Sequence, residues 1–283
     1  MRVAVLGASG GMGRFFTEYF LSHGHEVTGF DTRKLNFSDS GFTSADSNAK
    51  AVEGAQVVLV AVPIAITVKT VREIAPQLHK GVHLIEISSI KGKILGELRP
   101  IVRKTGASLV SLHPLFGPSL SASTGMKICV VERGKAALNF AEELFPDATL
   151  IPIGEREHDR AMGIILSMTH LLNIAYAATV AKYMTPEEFR ALESPTSAVQ
   201  MSLAEGVLNQ DPSLYSYIQL ENDYSAKFAG DLVDQLERLK TFLKRKDKKG
   251  FEAYFARLSA EYAQDSKTAL ENIYEAFEAK QSR

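Results

Sequence analysis

The sequence predicts an α/β protein in which an N-terminal doubly wound, mainly parallel sheet precedes an all-helical domain. Three observations carry this. Short apolar runs alternate with amphipathic stretches as far as Ile153, the pattern of strands and helices wound in succession. From Gly154 onward no convincing strand follows, and the apolar spacing becomes helical. The first apolar run also ends in clustered glycines, as a strand does where it turns into a helix over a phosphate. A domain boundary is therefore expected near Ile153, giving a dinucleotide-binding domain over 1–153 and a helical domain over 154–283.

Val3 to Leu6 reads as the first strand, followed by Gly7-Ala8-Ser9-Gly10-Gly11-Met12-Gly13 and an amphipathic helix to about His23. Glycines there allow a tight turn and let free amides at the helix start hold a pyrophosphate. The spacing is Gly7-x-x-Gly10-x-x-Gly13, with Ala8 where the common pattern has a glycine. Glu26 to Phe30 reads as the next strand. It ends at Asp31, placed to accept hydrogen bonds from the adenine ribose hydroxyls. Asp31 repels a 2′-phosphate and Arg33 attracts one, so NAD is favoured and NADP stays open. The expected cofactor-binding set is Gly7, Ser9, Gly10, Gly11, Met12, Gly13, Asp31, Arg33 and Pro63. A capping turn without a ligand is the alternative.

A loop rich in Ser, Asp and Asn precedes Val57 to Val62, a run apolar on both faces as buried parallel strands are, which Pro63 stops. Ile66 to Leu78, Leu95 to Lys104 and Lys135 to Phe145 read as helices. Val82 to Ile87, Ser108 to Leu112, Lys127 to Glu132 and Thr149 to Ile153 read as strands. The helical part follows as Glu155 to Tyr183, Pro186 to Asn209, Pro212 to Ala229, Asp231 to Lys244, and Phe251 to Lys280. In the first of these, Ala161 to Ala181 carries no charge and is about long enough to cross a bilayer. A polar stripe of Asp159, Gly163, Ser167, His170 and Asn173 argues instead for a helix buried on nearly all sides, with one polar edge on a cavity.

A net charge of -1 over 283 residues gives no electrostatic case for nucleic acid or an anionic membrane. Cys129 is the single cysteine, so no internal disulfide forms, and its apolar neighbours mark a buried strand cysteine rather than a nucleophile. The first residues lack a secretory pattern, so a soluble cytoplasmic protein is expected. No metal constellation is visible: His23, His25, His79 and His83 read as surface histidines. His158 and Asp159, at the head of the long helix, read as capping or solvated residues.

Ligands of open parallel sheets bind beyond the carboxyl ends of the strands, and two polar clusters fall there. One is Ser88-Ser89-Ile90-Lys91-Gly92. The other is His113-Pro114-Leu115-Phe116-Gly117-Pro118, whose histidine suits general base work near neutral pH.

These clusters, the glycine turn, Glu157-His158-Asp159-Arg160-Ala161-Met162 and Thr169-His170 resemble the prephenate dehydrogenases in order and spacing. Ser194-Pro195 and the stretch Leu208 to Tyr215 continue the likeness, which spans almost the whole chain. The resemblance implies a Rossmann-type domain, a nicotinamide cofactor, and oxidative decarboxylation of prephenate to 4-hydroxyphenylpyruvate in tyrosine biosynthesis. It implies His113 as catalytic base, Ser89 as the serine that positions it, and Ser88, Ser89, Thr169 and His170 at the substrate. It also implies a homodimer formed by the helical domain. One position departs: where the family usually has a carboxylate-binding arginine three residues after Ser-Pro, this chain has Ala198. Lys91, Arg160, Arg190 and Lys227 are the replacement cations to consider, and arogenate or 4-amino-4-deoxyprephenate the replacement substrates. A β-hydroxyacid dehydrogenase would need a lysine four residues before Asn173, where Thr169 stands. A dinucleotide-binding regulator without turnover is the rival from another class.

Overall fold

A computed structural model of the chain describes residues 1–120, 125–131, 134–262 and 266–281. β1 (Arg2–Leu6) takes a central place in the sheet because Val3 to Leu6 are apolar toward both faces and are buried on both. The glycine turn leads into α1 (Gly11–Ser22), then β2 (Glu26–Phe30), β3 (Phe42–Ser44) and α2 (Asn48–Val52). β4 (Val57–Val60), α3 (Ile64–Ile74), β5 (His83–Glu86), α4 (Gly92–Thr105) and β6 (Ser108–Pro114) follow. β7 (Met126–Val130), α5 (Lys135–Leu144), β8 (Ala148–Pro152) and α6 (Glu155–Met162) complete the first unit. Among the described residues eight strands form one sheet in the order β3-β2-β1-β4-β5-β6-β7-β8. All neighbours are parallel except β6 and β7. The expected fold class is thus the one found.

The winding reverses between β1 and β4, the kind of switch point at which open parallel sheets bind their ligands. Behind it Phe15, Phe16 and Phe20 of α1 pack with Phe145 in the core. Phe116 leans onto the same cluster with its ring centre 5.1 Å from that of Phe15. Aromatic pairs of this kind contribute about 0.5–1.5 kcal/mol beyond the apolar area they bury.

The structure corrects several expectations. β3 and α2 lie in the stretch read as loop, because three and five residues are too few for periodicity to register. His113 belongs to β6 itself, paired with Cys129 of β7, since an antiparallel neighbour distant in sequence extends the strand past Leu112. By compact packing the first unit runs on to Met162, because α6 is tied back to the start of α4. Glu132, the expected end of a strand, lies outside the described residues.

The second unit, Gly163–Arg283, is helical throughout its described residues. It opens with a π-helical turn (Gly163–Met168), followed by α7 (Thr169–Val180), α8 (Pro186–Leu192), α9 (Pro195–Leu208) and α10 (Pro212–Glu221). α11 (Ser225–Arg245), α12 (Lys248–Tyr262) and α13 (Ser266–Gln281) close it. The helix expected over Phe251 to Lys280 is thus described as two segments, and residues 263–265 lie outside the described ones.

The long helix Glu155–Val180 is apolar and long enough to span a membrane, but its burial is the reverse of the expected all-round pattern. The polar stripe is the buried side. A Cβ on Gly163 would come within 2.9 Å of Tyr224 and Phe228. The Ser167 hydroxyl lies 2.6 Å from Gln219 Oε1 and 2.7 Å from Ser225 Oγ, and Gln200 donates to Asn173 Oδ1 at 2.9 Å. The apolar side is the open one, with Ile164, Ile165 and Leu172 42%, 55% and 43% exposed.

Candidate active site

The glycine turn has the close-packed geometry that a dinucleotide cradle requires. Gly7 has φ +85°, and a Cβ there would stand 2.7 Å from the Ala61 carbonyl oxygen at the end of β4. A Cβ on Gly13 would collide with the Gly7 carbonyl oxygen, so helix and strand approach as closely as only glycine permits. α1 begins after Gly10 with no side-chain cap, which leaves its first-turn amides of Gly11, Met12 and Gly13 facing outward for an anion. The Met12 side chain packs on the core, so this residue offers its amide only. Asp31 follows β2 and accepts from the Ser9 amide at 3.1 Å and the Arg33 amide at 3.0 Å. Burial raises the Asp31 carboxyl, but those amides and the Arg33 guanidinium outweigh it and hold the group below its ordinary value. Pro63 caps α3 at the end of β4, across the switch point. The residues fit an adenine dinucleotide with a free ribose 2′-hydroxyl.

His113 stands over the carboxyl edge of the same sheet. Its segment is pinned to the glycine turn: a Cβ on Gly11 would meet Pro118 Cγ at 2.8 Å, and Phe116 is held by the aromatic core. His113 is 4% exposed, and its Nδ1 is 2.9 Å from Nε2 of His158. His158 Nδ1 in turn is 2.8 Å from Asp159 Oδ1. The Asp159 carboxylate also accepts the Lys91 amide at 2.9 Å and the Gly92 amide at 2.8 Å. His158 and Asp159 are therefore not the solvated cap read from the sequence. They are buried, while Arg156, Glu157 and Arg160 of α6 are exposed and Glu155 is half-buried, paired with Arg99 at 2.6 Å.

A second surprise is Lys91, fully buried with its ammonium 2.6 Å from Glu86 Oε1 and 2.6 Å from the Leu112 carbonyl oxygen. Ser111 Oγ donates to the same Glu86 oxygen, and the Ser88 amide to the other at 2.9 Å. Lys91 is thus spent inside the protein and is removed from the candidate cations for a substrate carboxylate. Arg190 pairs with Glu205 and Lys227 with Asp231, both at exposed positions, while Arg160 is exposed on α6. Cys129 is buried in β7, and burial raises its thiol pKa against the pull of Lys91, so it is held as the thiol. Ser89 is half-buried in the turn between β5 and α4. His170 and Thr169 lie in the second unit, His170 with its ring centre 4.5 Å from that of Tyr215 and Thr169 with its hydroxyl on the Ile164 carbonyl. Burial lowers the pKa of His170.

Burial depresses the His113 pKa well below the ordinary histidine value, reinforced by the charge of Lys91 and by His158. It also depresses that of His158, against the opposing hydrogen bond to Asp159. Both rings are therefore neutral near pH 7. In the unfolded chain they titrate near about 6.5. Below that pH the unfolded state binds more protons than the folded one, so stability falls with acidification until the folded values are reached. Calorimetry between about pH 7.5 and 5 is expected to show this decline, and a shallower one in a His113→Asn variant. A flat profile in the parent would mean that these histidines titrate normally in the fold.

Residues 18–130 match the family model described as prephenate dehydrogenase, nucleotide-binding domain, and residues 155–257 the one described as prephenate dehydrogenase, dimerization domain. A protein of Methanocaldococcus jannaschii named probable arogenate/prephenate dehydrogenase is 28% identical over 264 residues, 89% of this chain. The chain spans 58% of the length of that relative. The 4-amino-4-deoxyprephenate dehydrogenase of Streptomyces pristinaespiralis is 26% identical over 267 residues, covering 91% of this chain and 90% of the relative. In fold, the chain is similar to prephenate dehydrogenase from Aquifex aeolicus in complex with hydroxyphenyl propionate and NAD+. The TM-score is 0.77 at 19% identity, over 93% of this chain and 98% of that one. With both halves of one family's description matched in order, the chain belongs to the prephenate dehydrogenase family.

Proposed function

We propose that this protein is an NAD-dependent dehydrogenase that oxidatively decarboxylates a cyclohexadiene of the prephenate type, working as a soluble cytoplasmic homodimer. The observation that carries the reading is the setting of His113. It is neutral, its Nδ1 is engaged by His158, and it lies on a segment pinned to the glycine turn, which leaves Nε2 to accept a proton from a substrate hydroxyl or amine. A bound nicotinamide supplies the hydride acceptor. The chain's share is to orient and to hold a proton: Gly7, Ser9, Gly10, Gly11, Met12 and Gly13 form the cradle, with Asp31, Arg33 and Pro63 around it. Ser88, Ser89, Thr169 and His170 are assigned to the substrate, with Ser89 also positioning His113. Because the ring becomes aromatic, orientation matters more than covalent chemistry. The open apolar side of Glu155–Val180 supports the homodimer, together with Leu236 and Leu243 of α11 at 51% and 70% exposed.

The test is a steady-state assay of prephenate, arogenate and 4-amino-4-deoxyprephenate, each with NAD and NADP. Turnover of at least one with NAD is expected; tight NAD binding without turnover of any would mark a regulator instead. Ala198 bears on the choice among them. It is fully buried on α9, where a guanidinium has no room. Ala198→Arg is thus expected to lower stability by about 1–3 kcal/mol through overpacking, read by denaturant titration. An unchanged stability with a lower KM for prephenate would show that the position opens onto the substrate after all.

A further inference from the structure

The buried surroundings of His113 contain more than a base needs. Glu86 comes from β5, Lys91 from the turn into α4, Cys129 from β7, and His158 and Asp159 from α6, with the Arg99–Glu155 pair at the surface end of α6. The charged groups buried among them are one ammonium and two carboxylates. Lys91 and Glu86 satisfy each other. Asp159 faces the neutral His158, so one added proton on the histidine pair would find a carboxylate already in place.

The donors and acceptors settle the tautomers. Asp159, as a carboxylate, only accepts, so His158 presents Nδ1–H to it and has a bare Nε2. That Nε2 must accept from His113 Nδ1–H, and His113 Nε2 is then left without a proton. We propose that His158 and Asp159 are positioning residues that fix His113 in this tautomer and store the substrate's proton during the reaction. This deepens, and rests on, the reading of His113 as the base.

The balance runs in two halves. In the first, the substrate O–H proton passes to His113 Nε2 while the Nδ1 proton of His113 moves to His158 Nε2. The C–H electron pair leaves as hydride to the oxidised nicotinamide, and C–O becomes C=O. In the second, the bond to the ring carboxylate breaks and carbon dioxide departs. Its electron pair aromatises the ring and reaches the oxygen, which takes the proton back as a phenol. No net proton is released, so the store needs no path to solvent. Its burial agrees, with His158 at 0% exposed.

The experiment has two arms. In the protein without cofactor, ¹⁵N NMR at neutral pH is expected to show both histidines neutral and protonated on Nδ1. A proton on His113 Nε2 would overturn the proposal whatever any variant does. The second arm is His158→Gln, whose amide is able to accept from His113 and donate to Asp159 but not to take up a proton. The expected result is a retained His113 tautomer, kcat lowered about 100-fold, little change in KM, and an acid limb of kcat/KM moved to lower pH. A rate and pH profile equal to the parent would reject the store. If His113→Asn stays active, the base reading fails; if only His158→Gln is silent, that reading stands and the store alone is lost.

Discussion

Replacing His113 with asparagine is expected to lower turnover by about two to four orders of magnitude, the usual contribution of a general base. Asparagine still reaches His158 with a hydrogen bond, so the polar chain to Asp159 persists, but no basic nitrogen faces the substrate. Dinucleotide affinity should be unchanged, because the cradle at Gly7 to Gly13 and the Asp31 acceptor belong to β1, α1 and β2. Calorimetric titration with NAD beside steady-state kinetics separates the two effects. A turnover within a few-fold of the parent would remove His113 from the chemistry. Loss of NAD affinity would instead show that the pinned segment from His113 to Pro118 supports the cofactor site.

What was legible in the sequence was local. The glycine turn and Asp31 lie within one β-α-β stretch, so spacing alone located them, and the motif around His113 lies at a strand end as expected. What escaped depends on partners distant in the chain. His158 is 45 residues from His113, and Asp159 is 68 from the Lys91 amide it accepts. In isolation Glu155 to Arg160 looks like any charged helix start. A signal existed nonetheless: His158 and Met162 share one face at i, i+4, turned away from Arg156, Glu157 and Arg160. The long helix shows a different failure. Its periodicity identified the correct two sides, but a period says nothing about which side faces the protein. The structure turns the polar stripe inward because Gly163, Ser167 and Asn173 each meet a specific partner.

Lys91 left no mark in the sequence, since a buried lysine and a surface lysine are the same letter and its partner Glu86 lies on the preceding strand. Lys91→Met keeps most of the side-chain volume but leaves Glu86 fully buried without its cation. Breaking a buried pair from one side costs about 3–5 kcal/mol, a large part of the about 5–15 kcal/mol that holds a typical domain. The hydroxyl of Ser111 and the amide of Ser88 remain as donors to Glu86, but neither neutralises its charge. Glu86→Gln made in the Lys91→Met background removes that stranded charge, so the double variant should recover most of the loss. Denaturant unfolding of the parent, both single variants and the double variant measures the coupling directly. A single-variant loss under about 1 kcal/mol, the worth of an ordinary neutral hydrogen bond, would mean that the pair is not ionised in the fold. Activity supplies an independent check, because the Lys91 charge also helps keep His113 neutral. In the double variant, where the fold is retained, the acid limb of kcat/KM should therefore move to higher pH.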